Sequence, residues 1–169
     1  MAKNVNTATP LKIDERPEMP YMGIRLIAPY GGMRPQIEIA RKELERWFKA
    51  NGIQPAGAPL LRYYVIDMKG DMDMEYGIPV AAPLPDEGRI KATTLPVGRF
   101  VSLIYTGGGY QGNKTLIEGA RAKGLEFDRW DTDKGDNFRC RYEQFLTDPK
   151  IEPRKTKWDI EVAIKLADE

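Results

Sequence analysis

Residues 141–149 read Arg141-Tyr142-Glu143-Gln144-Phe145-Leu146-Thr147-Asp148-Pro149. Aromatic and aliphatic side chains are interleaved with polar ones, as in a half-buried strand, and Asp148-Pro149 stops the run. A carboxylate stands in the middle of it. Taking an unpaired charge out of water is costly, so Glu143 either faces solvent or has a partner. Alternation puts Arg139, Arg141, Glu143 and Phe145 on one face, and Phe138, Cys140, Tyr142, Gln144 and Leu146 on the other. Alternation alone leaves two readings open. Glu143 is a surface residue paired with Arg139 or Arg141, or it is the polar floor of a pocket.

Working outward, the same order of elements occurs twice. In the first half, Met22 to Ala28 reads as a strand, and Pro29-Tyr30-Gly31-Gly32 breaks it. A helix follows over 34–51, with Pro35 in its first turn. Ile37, Ala40, Leu44, Trp47 and Phe48 recur at helical spacing. Strands follow over Leu60 to Ile66 and Met74 to Val80. In the second half, Gly98 to Tyr105 is a strand, Gly107-Gly108-Gly109-Tyr110 a break, and Gln111 to Lys123 a shorter helix. After a polar loop come strands over Phe138 to Leu146 and Lys157 to Leu166, while Arg89 to Leu95 is an extra strand between the halves. Arg62-Tyr63-Tyr64 resembles Arg141-Tyr142-Glu143, which sets Tyr64 in the place that Glu143 holds. The expectation is an α+β fold: duplicated β-α-β-β units forming a mostly antiparallel sheet with two helices and a central ligand cleft. Residues 1–20 are polar, with Pro10, Pro17 and Pro20, and read as a loose N-terminal arm. Residues 21–169 read as the domain proper.

Composition excludes several chemistries. With 169 residues the chain suits one domain, or one domain of two similar halves. Net charge is +1 with both signs interleaved, so neither direct nucleic-acid binding nor a membrane surface is expected. No apolar run is long enough to span a bilayer, and no leader is visible. The single cysteine, Cys140, rules out a disulfide within the chain. A cytoplasmic setting fits. There is no histidine, which removes the Ser-His and Cys-His dyads and the usual zinc sites. No metal and no cofactor are expected, and acid–base chemistry falls to Glu, Asp, Tyr, Lys or water.

Two motifs read as turns. Gly107 to Gly112 fits G-x-G-x-x-G, with Asp128 and Asp131 downstream. A polar loop carrying Trp130 follows where a buried parallel strand should be, so the glycines read as a turn before a helix. Asp131 to Asp136 resembles a calcium loop, but its glycine comes one place early and no glutamate closes it.

The tyrosines lie in or beside the strands and breaks. Each one alone reads as core packing with its hydroxyl reaching the surface. Together with a strand carboxylate they suggest an aromatic-walled pocket for a cation. The tyrosines so placed are Tyr30, Tyr63, Tyr64, Tyr76, Tyr105, Tyr110 and Tyr142.

The run from Tyr142 to Pro149, then Glu152-Pro153, then Lys157-Trp158-Asp159-Ile160-Glu161-Val162-Ala163-Ile164, resembles the C-terminal signature of GyrI-like small-molecule-binding proteins. These share a domain with the effector-binding halves of multidrug-sensing MerR-type and AraC-type regulators. Arg25 to Tyr30, Tyr76 to Val80 and Leu95 to Phe100 add weaker matches, so the resemblance covers roughly residues 20–167. It implies that the family's pocket glutamate falls on Glu143. It also implies a stand-alone binder that senses or sequesters a lipophilic, cationic or planar small molecule, with Tyr30, Tyr64, Tyr105 and Tyr110 as wall candidates and Glu143 as the polar anchor. Two alternatives come with it. One is a hydrolase of cyclopropane-containing DNA-alkylating natural products, with Glu143 as the catalytic residue activating water and a tyrosine holding the electrophile. The other is an interaction protein whose partner is DNA gyrase or a second copy of the chain. The balanced charge argues against an acidic DNA mimic. The second break, Thr106-Gly107-Gly108-Gly109-Tyr110, departs from the bulkier Gly-Pro-Tyr-like turn of the family, and the second helix is shorter. The expectation is a wider or more mobile pocket on that side. No DNA-binding segment precedes the domain in this sequence.

Overall fold

The computed structural model describes residues 7–168. The first half holds β1 (Thr7–Ala8), β2 (Lys12–Arg16), β3 (Met19–Pro29), α1 (Met33–Ala50), β4 (Leu60–Ile66) and β5 (Asp71–Pro79). Strand β6 (Ile90–Leu95) links the halves. The second half holds β7 (Gly98–Thr106), α2 (Gly109–Ala122), β8 (Arg129–Thr132), β9 (Gly135–Phe138), β10 (Arg141–Phe145) and β11 (Asp159–Lys165).

All strands join one sheet in the order β1-β7-β11-β10-β4-β5-β3-β6, with β2 also on β7 and the β8–β9 hairpin attached to β4 through β9. Every pairing is antiparallel. The central pair is β10–β4, and the order outward from it is the same on both sides: β10-β11-β7 and β4-β5-β3. The chain is therefore a doubled β-α-β-β fold, with α1 crossing from β3 to β4 and α2 crossing from β7 towards β10.

Chain length forces the sheet to curl. Strands β6 and β7 stand far apart on the sheet path, yet only Pro96 and Val97 separate them. Three Cα steps span at most about 11 Å, so the sheet must bend round to bring these strands together. Pro17-Glu18 makes a second such link between β2 and β3. The result is a half-barrel. Leu95 of β6, Phe100 of β7, Tyr21 of β3, Leu60 of β4 and Tyr142 of β10 pack in one buried cluster inside the curl.

Both helices lie on the opposite, outer face. Ala40, Leu44 and Phe48 of α1 are spaced four apart and pack on Leu61, Met72, Met74 and Tyr76. Gly112, Leu116 and Ala120 of α2 do the same, over Val101, Leu103, Tyr105 and Val162. Ile66 and Phe145 touch both clusters. Between the helices, over the central strand pair, the sheet is left uncovered by either helix.

Two segments differ from expectation. The arm is not loose where it is described: β1 and β2 pair with β7. Arg16 on β2 reaches into the curl and donates to Tyr142 Oη (2.8 Å), Glu161 Oε1 (2.9 Å) and Ser102 Oγ (3.0 Å). These partners are remote in sequence, so no local pattern announces them. The strand expected over 138–146 is broken at Arg139-Cys140, and its first part belongs to the β8–β9 hairpin. Gly135, with φ +131°, makes that hairpin turn.

Candidate functional site

Glu143 stands at the middle of β10, opposite Leu61 of β4 and Val162 of β11. Directly opposed residues share a face, and alternate residues along a strand do too. Leu61 and Tyr63 therefore stand with Glu143 on the helix side, while Arg62 and Tyr142 turn into the curl. Glu143 is only 8% exposed, and its carboxylate accepts from two phenols. Tyr63 Oη of β4 donates to Oε1 at 2.7 Å, and Tyr105 Oη of β7 donates to Oε2. Burial first, and then the facing carboxylate, push both phenols well above the ordinary tyrosine value. Both therefore remain hydrogen-bond donors. An ionised carboxylate has about four acceptor positions, so two donors leave room for a ligand or a water.

These groups form part of the lining of an open cavity of about 560 Å³ between the helices. Met33 at the start of α1, Ile66, Met72, Ile117 of α2 and Ile160 provide apolar wall. Tyr30 and Tyr110 stand on it as well, 47% and 72% exposed. Arg141, two residues before Glu143 on the same face, also lines it. It is buried, and burial holds its guanidinium below the ordinary arginine value.

The glycines at the second break have a packing role. A Cβ on Gly112 would overlap the Tyr105 ring, so this glycine lets α2 rest directly on the tyrosine that serves Glu143. Gly107 takes φ +115°, which turns the chain from β7 into α2. That geometry accounts for the G-x-G-x-x-G spacing without a nucleotide.

Of the residues expected at the site, Glu143, Tyr30, Tyr105 and Tyr110 line this cavity and Tyr64 does not. Tyr64 is the extra residue of a bulge: Tyr63 pairs with Met74 and Val65 with Asp73. Its ring lies under the Arg25 and Arg62 guanidinia, 3.6 and 4.5 Å from the centroid, and its hydroxyl donates to Glu75 at 2.8 Å. The match of Arg62-Tyr63-Tyr64 with Arg141-Tyr142-Glu143 is thus one residue out of phase with the sheet. A one-residue slip moves a side chain to the other face. Tyr63, Arg141 and Asn113 of α2 also line the cavity and are not among the site residues that the sequence points to. The register of β4 against β10 would have revealed Tyr63, but local sequence does not encode that register.

The model of the GyrI-like small molecule binding domain matches residues 9–167. The chain belongs to this family. No curated protein matches it. Among solved structures, the C-terminal domain of EcmrR superposes with TM-score 0.67 at 18% identity, over 95% of this chain and 98% of that one. In the EcmrR–DNA complex the TM-score is 0.72 at 17% identity, and the match covers 97% of this chain but 58% of the EcmrR chain. A hydrolase from Listeria innocua gives 0.60 at 15% identity over 93% and 91% of the two chains. SAV2435 bound to tetraphenylphosphonium gives 0.51 at 11% identity, over 94% of each. At these identities the likeness is one of fold. As a GyrI-like domain the chain is a small-molecule-binding protein. No helix among the described residues is long and apolar enough to cross a membrane.

Proposed function

We propose that this GyrI-like domain holds one planar, lipophilic small molecule in the cavity between α1 and α2, as a sensing or sequestering module. The observation that carries the reading is Glu143: a buried carboxylate, oriented by two phenols, at the edge of a roomy apolar cavity. The volume lies within the usual range for small-molecule sites, roughly 300–1,000 Å³. Apolar walls with few polar groups select by shape and hydrophobicity, and the polar groups fix orientation. Positive charge on the ligand is not required by this geometry, because both Glu143 oxygens already have donors. Titration with the neutral, flat fluorophore N-phenyl-1-naphthylamine tests the reading. The expected result is saturable binding at one site, abolished by Ile117→Trp, which fills the wall position on α2. Binding that survives this substitution places the probe elsewhere and sinks the proposal.

A second reading is favoured by the same carboxylate. A positioned glutamate beside an open cavity can take a proton from water while the water oxygen bonds to an electrophilic carbon. For an activated cyclopropane, the ring C–C bond breaks, its electron pair passes into the conjugated carbonyl, and that group is then protonated. General-base catalysis of this kind contributes about 10²–10⁴-fold. Incubation with an electrophilic cyclopropane compound would then yield a water-added, ring-opened product, and Glu143→Gln would bind the compound but lose turnover by about that factor. Unchanged compound after prolonged incubation with the wild type leaves binding alone.

A further inference from the structure

The charge of the cavity differs from that of the chain. The whole sequence carries +1. The cavity lining carries five cationic side chains, Arg34, Lys114, Arg121, Arg141 and Lys155, against Glu118 and Glu143. Lys114 and Glu118 face each other along α2 at 3.9 Å and offset one another. Glu143 accepts from two neutral hydroxyls, which offset no charge, so Arg34, Arg121, Arg141 and Lys155 stand against one carboxylate. Both helices also start at the cavity, with Met33 and Gly109 in its wall, and neither has an acidic residue in its first turn. The positive ends of two helix dipoles therefore add to the excess.

Arg141 is the group that localises this excess. It is a buried guanidinium that makes no direct salt bridge with a carboxylate among the described residues; Glu143 and Asp136 act on it only through space. Its hydrogen bond goes to a neutral oxygen, Asn113 Oδ1, at 2.8 Å, and its buried Nε has no partner. The guanidinium otherwise lies 4.8 Å from the Phe138 ring centroid. Buried arginines are ordinarily paired, because a lone charge away from water is costly. The other buried arginine on the central strand pair, Arg62, also has an unpartnered Nε, but its terminal nitrogens find Tyr21 Oη and two backbone carbonyls. Arg141 lacks such a set and borders the cavity instead.

We propose that the cavity takes a flat apolar anion, its carboxylate or sulfonate group seated on Arg141 and its ring system between the helices. This rests on the cavity being the ligand site and adds the sign of the ligand's charge. A guanidinium offers a planar fork of donors that matches such a group. Arg34, Arg121 and Lys155 attract the anion on its approach.

Two probes with the same ring body test it: 8-anilinonaphthalene-1-sulfonate and its neutral counterpart, N-phenyl-1-naphthylamine. The sulfonate should bind the wild type about tenfold or more tightly than the neutral probe, the worth of one charge-assisted contact. Arg141→Gln should remove that advantage, so that the ratio of the two affinities falls to about one. Because Arg141 is buried, Asn113→Asp provides an independent variant: a carboxylate at that position on α2 occupies the guanidinium from within. It should lower the ratio of sulfonate to neutral-probe affinity by a similar factor. Equal affinity of the two probes, both sensitive to Ile117→Trp, would overturn the proposal while the cavity remains a ligand site. A sulfonate advantage that persists in both Arg141→Gln and Asn113→Asp would also overturn it. If neither probe binds the wild type, the cavity reading falls and this inference with it.

Discussion

At the scale of single residues, Tyr63 and Tyr64 divide two tasks that the sequence places side by side. Tyr63 serves Glu143 in the cavity, whereas Tyr64 serves Glu75 inside the curl, where Tyr21 and Thr93 also donate to that carboxylate. Tyr63→Phe removes one of the two protein donors of a buried carboxylate, at a cost of about 1–3 kcal/mol. It should also change binding of a naphthylamine probe. Tyr64→Phe should leave probe binding alone, since Glu75 keeps two donors on the other face. Urea unfolding and fluorescence titration of both variants would check this, and equal effects on binding would refute the division. Glu143 was legible as a strand carboxylate, and its family resemblance pointed to a pocket. Its partners were not legible, because they come from strands about 40 and 80 positions away. The inside of the curl has its own signature in alkali. Burial pushes the Cys140 thiol from 9.0 up to about 11, and the Tyr64 phenol from 10.0 up to about 12. In the unfolded chain both ionise at their ordinary values. The folded state's preference for the protonated thiol is therefore fully present below pH 9 and is lost as pH rises to about 11. Tyr64 follows between pH 10 and about 12. Urea midpoints should fall over this window, and Cys140→Ala should flatten the earlier part of the fall, a change of about 1–3 kcal/mol.

Among the elements, those with strong apolar periodicity were the readable ones. Helix α1 was expected over 34–51 and runs over Met33–Ala50, because Ala40, Leu44 and Phe48 mark one face. Strand β4 occupies the expected residues from Leu60 to Ile66. Strands β8 and β9 were missed. They are short, and Arg129 pairs with both Asp131 and Asp136 at the surface, so they offer no apolar alternation. Helix α2 is the element whose placement the site depends on most. Gly112 sets its distance from the sheet, because only a residue without Cβ fits over Tyr105. Gly112→Ala should push α2 off the sheet or move Tyr105 away from Glu143. The expected cost is about 1–3 kcal/mol, the usual range for overpacking, with weakened probe binding. Gly119→Ala meets only the tip of Leu11, a flexible side chain, and should cost less. A reversed order in thermal unfolding would show that α2 is not seated on Tyr105.

For the whole molecule, the duplicated topology was visible in the repeated order of strand, break, helix and two strands, but the closure was not. Closure depends on two short proline-containing links and on Arg16, whose partners lie on β7, β10 and β11. The curl holds the central strands at the curvature that faces Tyr63 and Tyr105 towards one carboxylate. Arg16→Met leaves Glu161 without its cation and Tyr142 and Ser102 without that donor, and should lower stability by about 3–5 kcal/mol if the site behaves as a buried pair. Because Glu161 is partly exposed, the lower end of that range or less is expected. The central claim is that the space between α1 and α2 is where a small molecule binds. Intermolecular nuclear Overhauser effects between N-phenyl-1-naphthylamine and methyl-labelled protein test it most directly. The account predicts contacts to the Ile117 and Ile160 methyl groups, and to Met72, with none to Ile13 or Ile151 on the exposed surface. Contacts confined to those surface methyls, or no contacts under saturating probe, would contradict it.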